Sequence, residues 1–184
     1  MPRMYDVVIA IDPGVNGAIA CAIPGDPNSI KVVDCPRFSI TKSGRKSAIP
    51  VSDAVGMAAA LKEFMAMGER PFVVLEQVHA RENDSKVSAF TFGENYGIWR
   101  GIIGVLGLPH TTIPPQRWKP TILGKAPSYS NPAEVKERSR KRCIELLPHL
   151  QEQLKYKKDH NRAEAALLAL FAIKNIDALT GKAD

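Results

Sequence analysis

A run of apolar, largely β-branched residues, Val7-Val8-Ile9-Ala10-Ile11, ends in Asp12 and meets Pro13-Gly14 at once. Such a run predicts a strand buried on both faces. Pro-Gly breaks the ladder just beyond the acid. The pattern returns in Phe72-Val73-Val74-Leu75-Glu76. If the two strands are parallel neighbours, Asp12 and Glu76 emerge side by side at the C-terminal edge of one sheet, where open α/β sheets bind ligands. Like charges placed there need a cation, or one of them keeps a proton. Taken singly, each acid reads equally well as a strand end in a solvated turn.

The length of 184 residues fits one domain spanning 1–184, and 45% hydrophobic residues suffice for a full core. The net charge of +6 favours an anionic partner such as nucleic acid, although an ordinary basic protein has the same balance. Cys21, Cys35 and Cys143 have no metal-type spacing. Cys21 and Cys143 fall in apolar strand and helix patterns and read as buried thiols, which suits a reducing compartment. The first strand begins almost at the N-terminus. The expectation is a cytoplasmic protein of a bacterial or phage-infected cell, with no targeting signal and no membrane span.

Residues 18–23 and 30–34 predict two further strands, joined to the first by short turns in an antiparallel meander. Residues 36–50 read as a loop with Arg37, Lys42, Arg45 and Lys46 and no acid: a phosphate-contacting arm or a solvated basic loop. Helical periodicity over 51–67 carries the chain back so that the Glu76 strand runs parallel to the first. Residues 77–83 form a polar loop, and Phe90 and Phe92 follow in a polar, glycine-bounded segment. The two aromatics either stack on bases or pack on the next helix. That helix, over 93–106, carries Gly97, Gly101 and Gly104. Each interior glycine costs about 1 kcal/mol, so a glycine face implies close approach, within the subunit by default or to a partner subunit. Residues 111–113 form a short strand, and 133–147 a basic helix opened by Pro132.

The second most informative stretch is Lys157-Lys158-Asp159-His160 and the helix after it, residues 160–173, which is apolar nearly all round and so buried. Asp159 suits its N-cap. Glu164 lies in its first turns and His160 at i−4, on the same face. A buried carboxylate needs a partner. His160 and Glu164 therefore form either a plain hydrogen-bonded pair or, with Asp12 and Glu76, a metal site.

Ile11-Asp12-Pro13-Gly14-Val15-Asn16-Gly17-Ala18, the strand ending in Glu76, and Lys157-Lys158-Asp159-His160-Asn161-Arg162-Ala163-Glu164-Ala165 together resemble the RuvC-type Holliday junction resolvases. The likeness is to the branch holding the chloroplast resolvase and its phage and bacterial relatives. It extends to Gly97-Ile98-Trp99, Ile113-Pro114, Trp118-Lys119, Val135-Lys136 and Ser139-Arg140. Asn161 stands where relatives often have glycine. The resemblance implies an α/β, RNase H-like fold with a mixed five-stranded sheet flanked by helices. It implies a homodimer that nicks opposing strands of a four-way DNA junction symmetrically. It implies Asp12, Glu76, His160 and Glu164 as ligands of two Mg²⁺ ions, with Mn²⁺ able to substitute. It also implies Lys136 near the reacting phosphate and Phe90 and Phe92 near the junction centre. The basic residues expected to meet DNA are Lys42, Arg45, Lys46, Lys119, Arg140, Lys157 and Lys158.

Three rivals compete. A sugar-kinase or actin-like ATPase needs a second domain and a second glycine-rich loop, for which the chain has no room. An RNase H-type nuclease acting on hybrids shares the metal chemistry. A non-catalytic junction binder would gain from losing acids that repel phosphate.

Overall fold

The computed structural model describes residues 4–41, 48–79, 85–124 and 131–181. Strands β1 (Val7–Asp12), β2 (Ala18–Ile23), β3 (Asp26–Asp34), β6 (Pro71–Glu76) and β7 (His110–Ile113) form one sheet in the order β3-β2-β1-β6-β7. The first three are an antiparallel meander, and β1–β6 and β6–β7 are parallel. The meander and the parallel β1–β6 pair are as expected from the apolar runs. Ile11 pairs with Leu75, so the next residues, Asp12 and Glu76, leave adjacent strands together.

Side chains alternate across a strand. Val7, Ile9, Ile11, Val73 and Leu75 face one core, which is completed by Met57, Leu61 and Phe64 of α1 (Ala54–Met65) and Trp99 and Ile103 of α2 (Lys86–Val105). Val8, Ala10, Phe72 and Val74 face the other core, where α3 (Pro115–Leu123), α4 (Pro132–Leu146) and α5 (His160–Lys174) pack. By the same parity Asp12 and Glu76 belong to this second face. Ala18, Ala20 and Ala22 lie under α5 with its Ala163, Ala165, Ala166, Ala169 and Ala172. Small residues on both surfaces let the helix sit close on the sheet, which explains why α5 is buried around its whole circumference. A short helix, α6 (Ile176–Leu179), follows it.

Several expected boundaries are corrected. The loop over 36–50 is flanked by a two-stranded ribbon, β4 (Arg37–Ile40) with β5 (Ile49–Ser52). The helix expected over 51–67 begins at Ala54, because Val51 and Ser52 pair with Phe38 and Arg37, and Asp53 caps it through a 3.0 Å bond from the Gly56 N–H. The helix expected to begin at residue 93 begins at Lys86, capped by Ser85. Phe90 and Phe92 therefore sit on its first turns and project into solvent, 73% and 48% exposed, rather than packing on a following helix. The default of close approach within the subunit at the glycine face is also corrected: a Cβ at Gly93, Gly97, Gly101 or Gly104 would meet nothing within 4 Å among the described residues. Asp159 does not cap α5; its carboxylate accepts from the Tyr156 N–H in a 3₁₀ turn over Lys157–Asp159. A 3₁₀ segment over Pro148–Leu154 had no sequence expectation.

All three cysteines are buried free thiols. Burial pushes the Cys143 thiol up to about 12. Among the described residues no helix is long and apolar enough to cross a membrane.

Candidate active site

Asp12 is presented by a turn that only glycine permits. The Gly17 N–H donates to the Gly14 carbonyl at 2.7 Å, and a Cβ on Gly17 would fall on the Asp12 carbonyl oxygen. The Gly14 N–H lies 3.3 Å from Asp12 Oδ1. The turn is pinned from behind by the Cys35 N–H on the Gly17 carbonyl and the Cys35 thiol on the Asp12 carbonyl. Asn161, at the start of α5, donates its amide to the Asn16 carbonyl and so ties the turn to the helix bearing Glu164. Arg162 fixes the same end of α5 through two 2.6 Å bonds to Asp34.

Glu76 is 7% exposed and accepts from the Trp118 indole at 3.0 Å. Glu164 accepts from the buried Ser139 hydroxyl at 3.1 Å through one oxygen and from Lys119 Nζ at 2.8 Å through the other. Lys119 Nζ lies 3.8 Å from Glu76 Oε1 as well. Glu76 and Glu164 thus share one ammonium, whose charge also reaches Asp12. Burial, then the charges of Glu76 and Glu164, push the Asp12 carboxyl up to about 8, against the Gly14 N–H and Lys119. Burial also raises Glu76, with Lys119 and Trp118 opposing it and Glu164 adding to it. Burial pulls the Lys119 ammonium down, but Glu164 and Glu76 outweigh it and leave the group above its ordinary value. Among the described residues three acids meet one ammonium here, an imbalance that a retained proton on Asp12 or a further cation would relieve.

The other expected site residues fall in two places. His160 Nδ1 lies 3.0 Å from the Lys157 carbonyl, and no hydrogen bond joins it to Glu164, Asp12 or Glu76 among the described residues. Its ring instead lines a cleft of about 880 Å³ with Lys136, Lys141, Arg142, Lys157 and Lys158. Among the described residues no three His, Cys, Asp or Glu side chains are drawn tightly enough together to cage an ion as they stand. Lys119 is hydrogen-bonded to Glu164 and close to Glu76, and His160 bonds its own helix start. Lys119 was expected on DNA and is found inside the acidic centre. Arg140 was expected on DNA too; it is held by Glu137 at 2.6 Å and by the Leu154 carbonyl at 2.7 Å, which closes α4 onto the 3₁₀ segment. Lys42, Arg45 and Lys46 lie outside the described residues.

Three residues were missed in these roles: Trp118 and Ser139 as donors to the acids, and Lys119 as their counter-ion. A signal existed. Buried acids need donors, and Trp118-Lys119 and the lone serine of a basic helix are polar groups that reach the buried face.

No known protein family's sequence profile matches the chain. It is 34% identical over 90 residues to the chloroplastic Holliday junction resolvase MOC1 of Chlamydomonas reinhardtii, a match covering 49% of this chain and 10% of that protein. The chain thus spans about a tenth of that relative's length. The solved structure of Thermus thermophilus RuvC superposes with a TM-score of 0.53 at 18% identity, covering 97% of this chain and 98% of RuvC. This chain has the RuvC fold. The same RuvC solved in complex with a Holliday junction substrate gives a TM-score of 0.52 at 16% identity over 97% of this chain and 98% of that one. The mixed five-stranded sheet flanked by helices is the RNase H-like architecture of RuvC, with Asp12, Glu76 and Glu164 at one edge.

Proposed function

We propose that residues 1–184 act as one structure-specific endonuclease domain that resolves four-way DNA junctions by paired symmetric nicks. The observation that carries the reading is the meeting of Asp12, Glu76 and Glu164 on one face of a RuvC fold, with Lys119 among them. Their oxygens suit hard divalent ions, Mg²⁺ by preference and Mn²⁺ in its place, and His160 would join as a fourth ligand by turning from the Lys157 carbonyl. Two such ions would activate a water, orient the phosphate and offset charge on the leaving oxygen. The chain's own residues do the rest. Asp12 and Glu76 are rigidly presented by adjacent parallel strands, and Trp118 and Ser139 hold the Glu76 and Glu164 carboxylates in place. The resemblance to the junction resolvases and the partial match to MOC1 favour a branched DNA substrate.

The cleft lined by Lys136, Lys157 and Lys158 would take the phosphate backbone. Lys136 is exposed and near enough to His160 to share the cleft, which supports its expected place beside the reacting phosphate. Lys136→Ala is expected to slow single-turnover cleavage about 10²-fold while weakening junction binding less than threefold. An equal loss in both would reduce Lys136 to an ordinary backbone contact. The open glycine face of α2, with Val105 89% exposed, supports the expected homodimer, since glycine admits another backbone closely. Phe90 and Phe92 stand free at the other end of that helix, as base-stacking residues would.

The test is a substrate panel in Mg²⁺: an immobile four-way junction beside duplex, RNA–DNA hybrid and flap controls, with nicks mapped on every strand. Symmetric nicks in two opposing strands of the junction support the proposal. Cleavage of hybrid alone transfers the protein to the RNase H-type reading.

A further inference from the structure

Lys119 is out of place for a plain DNA contact. Its ammonium is 2.8 Å from Glu164 and 3.8 Å from Glu76, yet its side chain stays 25% exposed. It also lies over the ring of Trp118, 5.4 Å from the centroid, and that same indole donates to Glu76. The backbone beneath it is stiff: α3 opens with Pro114 and Pro115 and has Pro120 within it. Any movement therefore belongs to the four-carbon stem, which carries a compact, strongly hydrated charge.

We infer that Lys119 is a substrate-operated latch on the acidic centre: its ammonium holds Glu164 and Glu76 until a DNA phosphate draws it away, so that divalent-ion binding is coupled to DNA binding. The inference rests on the metal-site reading proposed above and adds an order of events to it. The carboxylate oxygens that receive the lysine are the ones a divalent ion would need. An ion and an ammonium repel across such short distances, so each weakens the other's hold. Partial exposure gives the lysine a way out, and a DNA phosphate brought up to the acids would offer it a second anion. Coupling of this kind is reciprocal: a phosphate that removes the lysine raises ion affinity, and the ion raises DNA affinity by the same factor.

The experiment measures Mn²⁺ binding to the full chain without DNA, by electron paramagnetic resonance of free Mn²⁺. Lys119→Met removes the charge and keeps the stem, and is expected to bind Mn²⁺ about tenfold more tightly than wild type. Lys119→Arg grips carboxylates through a two-pronged guanidinium and is expected to bind it more weakly than wild type. The two variants thus move in opposite directions, and Lys119→Arg carries the test if the methionine variant fails to fold. Wild type that binds Mn²⁺, with Lys119→Met no tighter or Lys119→Arg no weaker, overturns the latch and leaves the metal site standing. Wild type and Lys119→Met that both bind no more than Asp12→Asn remove the metal site and the latch with it. In a second arm, Ca²⁺ is expected to tighten junction binding about tenfold in wild type and clearly less in Lys119→Met. An equal gain in both overturns the coupling.

Discussion

Asp12→Asn or Glu76→Gln is expected to abolish strand cleavage and leave junction binding measured without divalent ions intact. Each acid contributes charge where an ion must sit, and loss of several kcal/mol of transition-state stabilisation slows cleavage about 10³-fold or more. Binding survives because the cleft lined by Lys136, Lys157 and Lys158 is built on other elements. The same Asp12→Asn substitution is expected to stabilise the metal-free fold, and the sign follows from the proton balance. With Asp12 pushed up to about 8, the folded protein keeps a proton there that the unfolded chain releases near pH 4. The folded state binds more protons across that interval, so this group's favourable contribution is complete below about pH 4. It is lost progressively as pH rises to about 8 and stays lost above. Asn carries no titrating proton and removes that slope. At pH 9 without metal, thermal unfolding of Asp12→Asn should come about 2–8 °C above wild type, the shift expected of about 1–2 kcal/mol in a chain of this size. A variant that melts no higher, or still cuts at the wild-type rate, contradicts the assignment of Asp12.

The second large effect concerns a residue with no side chain. Gly17→Ala is expected to cost several kcal/mol, because its Cβ would fall on the Asp12 carbonyl oxygen and lie 2.7 Å from the Gly14 carbonyl oxygen. Nothing flexible is there to yield; both obstacles are backbone. The turn can accept the methyl only by opening, which moves Asp12 away from Glu76 and Glu164. Chemical denaturation should show a markedly lower midpoint, and any folded fraction should bind junction DNA but not cut it. Near-wild-type stability together with full cleavage would mean that the turn is not what sets the Asp12 geometry.

The central features were legible because they depend on strong, short-range patterns. Two apolar runs ending in acids fixed the parallel pair, and the all-apolar character of residues 165–173 fixed the buried helix. What stayed hidden depends on contacts between distant segments. The ribbon of β4 with β5 pairs residues on either side of a basic stretch, and no local period announces it. The start of α2 was read seven residues late because Gly93 looked like a boundary, whereas Ser85 supplies the cap and the glycine is tolerated on an open face. At the site, the acids were evident from their strand ends, but their donors were not. Trp118, Lys119 and Ser139 come from α3 and α4, and only the packing of those helices on the second face brings them to Glu76 and Glu164. His160 shows the opposite limit. Spacing placed it on one face with Glu164, yet its ring turns to the Lys157 carbonyl and the basic cleft.

Anomalous diffraction from crystals soaked in millimolar Mn²⁺ tests the metal centre most directly. The expected result is a manganese peak bounded by the carboxylates of Asp12, Glu76 and Glu164, with the Lys119 ammonium no longer 2.8 Å from Glu164. Lys119 still bridging Glu76 and Glu164, with no peak among the three acids, would contradict it.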